Sequence, residues 1–374
     1  MPTRFGSRAV TDEECWLPDD PSVARLRDAG AIFVGKTCCP DFSHKLVTDS
    51  PLTGITRNPW DVDLTPGGSS GGAAAAVASL AGPLALGTDA GGSIRIPAAF
   101  TGTFGFKPSF GRVPQNLRGI SGPLGHIGPL TRSVADAAEM MNIITLPDSD
   151  DWYALPYQKW DYTKDLERMP KGLRIAYSRN LGLGNDVVSP DVEEQVRRIV
   201  VKVSEMVSSV EEVDPPALAQ CREIHRIMWS SLAARLAASL GERRASLALT
   251  LERLAQRGEA LPREAFVNAV YDRGEVGSKV NAFFERFDIV LSPVYIDTAP
   301  SFAEFEGGRS VTPVFTNWCN VVGNPAASVP CGQDRRGMPV GLQVVGRHYA
   351  DAEVLAVCRA IEDISGPLKW PKVA

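Results

Sequence analysis

The chain has 374 residues, enough for one large α/β unit with a substantial core. Its 44% hydrophobic and 22% charged residues exclude a disordered chain. A net charge of −5 argues against binding built on phosphate contacts, so no nucleic-acid partner is expected. In chain order, residues 21–27 have the spacing of an amphipathic helix ended by Ala29-Gly30, and Ala31-Ile32-Phe33-Val34 reads as a short buried strand. Residues 37–68 lack periodicity and are rich in Pro, Thr, Asp and Asn, which predicts a long functional loop. An alanine-rich helix over 72–80 starts directly after a glycine cluster, and 81–87 lead into a strand ending near Thr88-Asp89. Ser133 is placed to cap a helix over 133–144, and 146–151 read as a surface excursion. A strand over 172–177 follows, and Ser189-Pro190-Asp191 opens a helix running to about Val210. Residues 217–260 are helical and charged. Residues 288–292 are a buried strand stopped by Pro293, 327–330 and 341–345 are strands, and 351–364 form a closing helix. This alternation predicts a sheet covered by helices, with no internal repeat and no linker dividing domains.

The seven cysteines are odd in number and scattered, without CxxC spacing, and read as reduced thiols of a cytoplasmic protein. The four histidines, His44, His126, His225 and His348, show no metal-ligand spacing, and no metal is expected. The first fifteen residues hold no apolar h-region. The longest apolar stretch, residues 73–87, is broken by Ser79, Gly82 and Pro83 and falls short of the roughly 20 residues that a membrane span needs.

Two serine motifs stand out. The first is Pro66-Gly67-Gly68-Ser69-Ser70-Gly71-Gly72 and the second Gly87-Thr88-Asp89-Ala90-Gly91-Gly92-Ser93-Ile94-Arg95-Ile96-Pro97. Ser69 and Ser93 lie 24 residues apart, with a helix and a strand between them. Successive N–H groups over Ala90-Gly91-Gly92-Ser93 can converge on a developing oxyanion, and a serine ending such a nest suits acyl transfer. Other readings fit each motif taken alone. Ser69 or Ser70 can be a plain helix N-cap. The absence of GK[ST] excludes a P-loop, and Arg95 stands where a nucleophile elbow needs its last glycine.

Together the two motifs resemble the amidase signature family. The similarity extends to Ala29-Gly30-Ala31-Ile32-Phe33-Val34-Gly35-Lys36-Thr37, Thr56-Arg57-Asn58-Pro59-Trp60 and Phe104-Gly105-Phe106-Lys107-Pro108-Ser109-Phe110-Gly111-Arg112. It resumes in Gly323-Asn324-Pro325-Ala326-Ala327-Ser328-Val329-Pro330 and Met338-Pro339-Val340-Gly341-Leu342-Gln343. It implies one α/β domain over 1–374 with a large mixed β-sheet covered by helices. Core motifs would lie in 29–145 and 286–364, and a variable, substrate-side region in about 151–285. It also implies that Ser93 is the nucleophile, that Ser69 bridges it to a lysine base, and that the peptide bond at Ser69 is cis. Ala90, Gly91, Gly92 and Ser93 would form the oxyanion hole, with Ser70, Thr88, Asp89 and Arg95 supporting. An acyl-enzyme would form and water would release a carboxylic acid, without a cofactor.

The family's lysine has no counterpart here. Met1-Pro2-Thr3-Arg4-Phe5-Gly6-Ser7 resembles the segment just after it, and no lysine precedes Lys36, which reads as an ordinary strand-end residue. The resemblance therefore implies an N-terminally truncated domain, with the base encoded upstream of Met1. A genuine truncated product and a substitute lysine are the alternatives. Residues 1–374 alone are expected to hydrolyse amides poorly and to leave apolar surface uncovered. The leading function is hydrolysis of a small or aryl amide. The alternatives are the glutaminase subunit of a tRNA-dependent amidotransferase and a catalytically impaired binding protein. Trp152, Tyr153, Trp160, Trp229 and Trp318 are candidates for an aromatic pocket lining, and a homodimer is the default expectation.

Overall fold

The computed structural model describes residues 1–116, 121–184, 187–305 and 311–371. Helix α1 (Pro21–Asp28) is capped by the Asp20 carboxylate, which accepts from the Ser22 N–H. The long loop after it holds a small hairpin, β1 (Asp49–Ser50) and β2 (Gly54–Ile55). Helix α2 (Gly71–Ala78) is apolar throughout and almost wholly buried, as a helix without a polar face must be. It leads to β3 (Leu84–Asp89), α3 (Arg95–Thr101), β4 (Phe104–Lys107) and β5 (His126–Thr131). Helix α4 (Val134–Ile144) is capped as expected, the Ser133 hydroxyl accepting from the Asp136 N–H.

The second half contains β6 (Arg174–Tyr177), α5 (Pro190–Ser204), β7 (Ser209–Glu212), α6 (Leu218–Ser239), α7 (Leu249–Glu259) and α8 (Arg263–Arg286). It closes with β8 (Ile289–Pro293), α9 (Trp318–Val322), β9 (Ala326–Gln333), β10 (Pro339–Gly346) and α10 (Asp351–Ser365). Eight strands form one sheet in the order β3-β5-β4-β9-β10-β8-β6-β7. The pairs from β3 to β8 are antiparallel, and β8-β6-β7 run parallel, so the sheet is mixed.

Helices α3 and α10 cover opposite faces of the sheet. On β10, Gly341 comes against Ala99 of α3 and Gln343 bonds Arg95, whereas Gly346, of opposite parity, meets Val354 of α10. The largest apolar core runs through the sheet strands and includes Phe106, Ile175, Val290, Val329 and Val344.

Two expectations are corrected. Ala31-Ile32-Phe33-Val34 is not a buried strand: it is irregular, with Ile32 89% and Val34 85% exposed. The Ala31 N–H closes the end of α1 on the Leu26 carbonyl, and among the described residues no strand pairs with the segment. Helix α5 stops at Ser204 rather than near Val210, because 209–212 instead pair with β6 as the edge strand.

Candidate active site

Both serine motifs end at helix N-termini on the same side of β3. The first runs into α2 and the second links β3 to α3. The peptide bond between Gly68 and Ser69 is cis. Ser70 occupies the position where α2 starts, yet its hydroxyl does not cap the helix. It donates to the Thr88 carbonyl at 3.1 Å and accepts from the Thr88 N–H at 3.0 Å, and the Ser70 N–H donates to the Ser93 carbonyl at 3.2 Å. The plain N-cap reading of Ser70 is thereby replaced: its hydroxyl stitches the first motif to the end of β3.

The turn over 90–93 is built around Asp89. Burial alone would raise the Asp89 carboxyl, but the Arg95 guanidinium outweighs it and holds the group well below the usual carboxylate range. Oδ1 accepts from the Gly92 N–H at 2.7 Å and Oδ2 from the Ile94 N–H at 3.2 Å. Arg95 is fully buried and places all five of its N–H groups. Two reach Asp89, and the others reach the Thr316 carbonyl, Gln343 Oε1 and Asn320 Oδ1, at 2.7–3.0 Å. Gly92 has φ +137°, and a Cβ there would lie 2.2 Å from Thr316 Oγ1, so only glycine fits.

Of the four N–H groups read as one nest, that of Gly92 is already taken by Asp89, the usual habit of an Asp at the start of a turn. Those of Ala90, Gly91 and Ser93 meet no protein acceptor among the described residues. Ser69 and Ser93 are buried, and among the described residues neither hydroxyl has a protein partner. The two loops meet through Ser70 and Ser93 rather than through the hydroxyls of Ser69 and Ser93.

A cavity of about 320 Å³ opens on Ser69, Ser70 and Thr88. Cys38, Cys39, Asp20 and His126 are the titratable residues on its wall. His126 is kept neutral first by burial and then by the nearby Lys107 charge. None of the five aromatic candidates lines it. Trp318 is buried in the core, Trp152 and Trp160 are exposed, and Trp229 stacks on His225.

The lysines nearest in sequence to the motifs are engaged elsewhere. Lys36 Nζ donates to the Met1 and Pro2 carbonyls at 3.2 and 3.3 Å and to the Thr3 hydroxyl. Lys45 pairs with Asp49. Lys107 is fully buried, donates to the Pro108 and Asn324 carbonyls, and is lowered to about 7 by burial, with the Arg95 charge second. Among the described residues no lysine ammonium is hydrogen-bonded to Ser69. Nor do any of them form a group of three or more His, Cys, Asp or Glu suited to a metal ion, and no helix among the described residues is long and apolar enough to cross a membrane.

Four residues of this site escaped the sequence reading: His225, Thr316, Asn320 and Gln343. All act on the turn from more than a hundred residues away. The one sequence signal among them was Gln343, inside a segment that matches the family without a stated role.

A mixed sheet whose edge strand delivers a glycine-serine turn into a buried helix is the frame that holds the candidate site. The profile of the Amidase family matches residues 1–355. An acylamidase of Rhodococcus erythropolis is 34% identical over 383 residues, covering 97% of this chain and 78% of the relative. A glutamyl-tRNA(Gln) amidotransferase subunit of Myxococcus xanthus is 34% identical, covering 96% of this chain and 79% of the relative. Among solved structures, 6-aminohexanoate cyclic dimer hydrolase superposes with a TM-score of 0.90 at 26% identity, covering 99% of this chain and 83% of the other. The chain belongs to the amidase signature family and has the fold and motifs of its amide-hydrolysing enzymes.

Proposed function

We propose that Ser93 is the nucleophile that takes the acyl group of a small or aryl amide, and that Ser69 relays its proton to an amine base. The acyl-enzyme then yields a carboxylic acid to water, and ammonia or an amine leaves. The observation that carries this reading is the turn itself. Its carbonyls and the Asp89 carboxylate are tied down, while among the described residues the N–H groups of Ala90, Gly91 and Ser93 meet no protein acceptor beside the Ser93 hydroxyl. Preorganised donors of this kind are each worth about 2.7–4 kcal/mol of transition-state stabilisation. Thr88, Ser70, Asp89 and Arg95 support the turn. The opening of Ser69 on the 320 Å³ cavity gives an amine a path to its hydroxyl. A cytoplasmic location belongs to the same reading, supported by seven unpaired cysteines.

Site-directed labelling tests it. A fluorophosphonate is expected to modify residues 1–374 slowly and only at Ser93, and Ser93→Ala abolishes the label. A small primary amine such as ethylamine is expected to speed labelling of the unsubstituted chain but not of Ser69→Ala. A positioned base typically contributes about 10²–10⁴-fold, so amide turnover without it stays low. A label on another residue, or one that survives Ser93→Ala, overturns the assignment. A second reading, the glutaminase subunit of an amidotransferase, is supported by the equal 34% identity of the Myxococcus relative. Glutamine as the best substrate and a co-purifying partner chain would favour it.

A further inference from the structure

In a trans peptide the C=O and N–H point in opposite directions. A donor placed on one residue's carbonyl therefore aims the N–H of the next residue. The turn after β3 is held this way unit by unit. Asn320 Nδ2 donates to the Asp89 carbonyl at 2.9 Å and so aims the Ala90 N–H. Thr316 Oγ1 donates to the Gly91 carbonyl at 2.5 Å and aims the Gly92 N–H, which meets the Asp89 carboxylate. The Ile96 N–H donates to the Gly92 carbonyl at 2.8 Å and aims the N–H of Ser93. The remaining unit, Ala90–Gly91, is held from α6, where His225 Nε2 lies 2.9 Å from the Ala90 carbonyl.

We propose that His225 is a positioning residue of the active site, its Nε2–H bond to the Ala90 carbonyl fixing the Gly91 N–H toward the substrate's developing oxyanion. The inference rests on the oxyanion reading of residues 90–93. A carbonyl only accepts, so the ring carries its proton on Nε2. Burial pushes the imidazole down to about 4 and keeps it neutral. The ring lies nearly parallel to Trp229, one helical turn further on, at 6.2 Å between centroids. The Trp229 indole N–H in turn donates to the His44 carbonyl at 3.3 Å, which anchors that ring. A Cβ on Gly91 would come within 2.8 Å of His225 Nε2, so this approach requires glycine at 91. Helix α6 lies within the region of about 151–285 expected to be variable, yet it supplies one of the constraints on the turn. His225 touches no reacting atom in this arrangement. Its loss is therefore expected to slow the chemical step while leaving substrate affinity in place.

The test compares His225→Phe, which keeps a ring but has no donor, with His225→Gln, whose amide N–H can take the place of Nε2–H. The readouts are the saturating rate and half-saturation concentration for phosphonylation of Ser93 by a fluorophosphonate, the melting temperature, and ¹⁵N NMR of labelled imidazole and glycine amides. His225→Phe is expected to react roughly 10–100-fold more slowly, less than the loss of an entire oxyanion donor, with half-saturation within about twofold. His225→Gln is expected to recover most of the rate. The unsubstituted protein is expected to show the Nε2–H tautomer, and the Gly91 amide signal is expected to move in His225→Phe. A Phe variant as fast as the parent, a Gln variant no better than Phe, or an Nδ1–H tautomer overturns the proposal. If the parent is not labelled at Ser93, the nucleophile assignment falls. The tautomer and the Gly91 signal still decide the role of His225 by themselves, and an unmoved signal rejects it.

Discussion

One irregular stretch forms the candidate site and another runs up to its cavity wall at Thr37 and Cys38, and the two are built in opposite ways. Residues 90–94 are buried, and backbone and side-chain polar groups around them are tied by named bonds to Asp89, Arg95, His225, Thr316 and Asn320. Residues 31–36 are apolar at Ala31, Ile32, Phe33 and Val34 and lie exposed. What order they have comes from the end of α1, from Arg27 over the Phe33 ring at 5.6 Å, and from Lys36 on the N-terminal carbonyls. Irregular backbone is thus held by polar satisfaction in one stretch. The other keeps β-type residues without a strand to pair with.

The polar side of this contrast breaks most sharply at Arg95. Arg95→Met leaves the Asp89 carboxylate buried beside Asn320 without its cation. Removing one member of a buried pair costs about 3–5 kcal/mol, so urea unfolding is expected to show a loss of that order. Adding Asp89→Asn to Arg95→Met is expected to cost less than the sum of the two single changes. Strict additivity in that double-mutant cycle would mean that the pair is not coupled.

Lys107 sharpens the comparison through pH. Its ammonium is lowered from 10.5 to about 7, first by burial and then by Arg95. Between those values the folded protein has released a proton that the unfolded chain still holds, so unfolding takes up a proton. Stability from this group therefore rises with pH from about 7 to 10.5, by at most about 1.4 kcal/mol per unit. Below about pH 7 both states are protonated and the dependence vanishes. Subtracting the unfolding curve of Lys107→Met from that of the parent isolates the slope, and a flat difference above pH 7 would place the charged form in the folded core.

The same contrast explains what the sequence revealed. The two serine turns are legible because both motifs together resemble the amidase signature family, whereas each alone also fits a plain N-cap or another glycine-rich turn. Helix α3 is hidden in the sequence because Pro97 looks like a helix breaker, yet it sits in the first turn of that helix, where a proline lacking its N–H is tolerated. Strands β4 and β5 were missed because Gly105, Gly128 and Pro129 look like turn residues. Their ladder stops just before Pro129, and β4 continues against β9 instead. The expected strand at 31–34 failed for the converse reason: an apolar β-branched run signals a strand only when a neighbour is present to pair with it. His225 was invisible because its role depends on a contact with residue 90, 135 residues away.

Residues 31–34 give the smallest effect and the cleanest check on the apolar side. Ile32 and Val34 are 89% and 85% exposed, so the double substitution Ile32→Ser/Val34→Ser removes almost no buried area. Unfolding free energy is expected to stay within about 0.5 kcal/mol of the parent, as for ordinary surface sites. Self-association, followed by sedimentation velocity over a concentration series, is expected to fall, because two large apolar side chains leave the surface. A destabilisation of several times that size would mean that the segment is packed in solution against something the isolated chain does not provide, and an unchanged sedimentation profile would place any sticky surface elsewhere. The outcomes separate because the side chains make almost no contact with the rest of the fold, whereas in the 90–94 turn any comparable change disturbs stability and chemistry together.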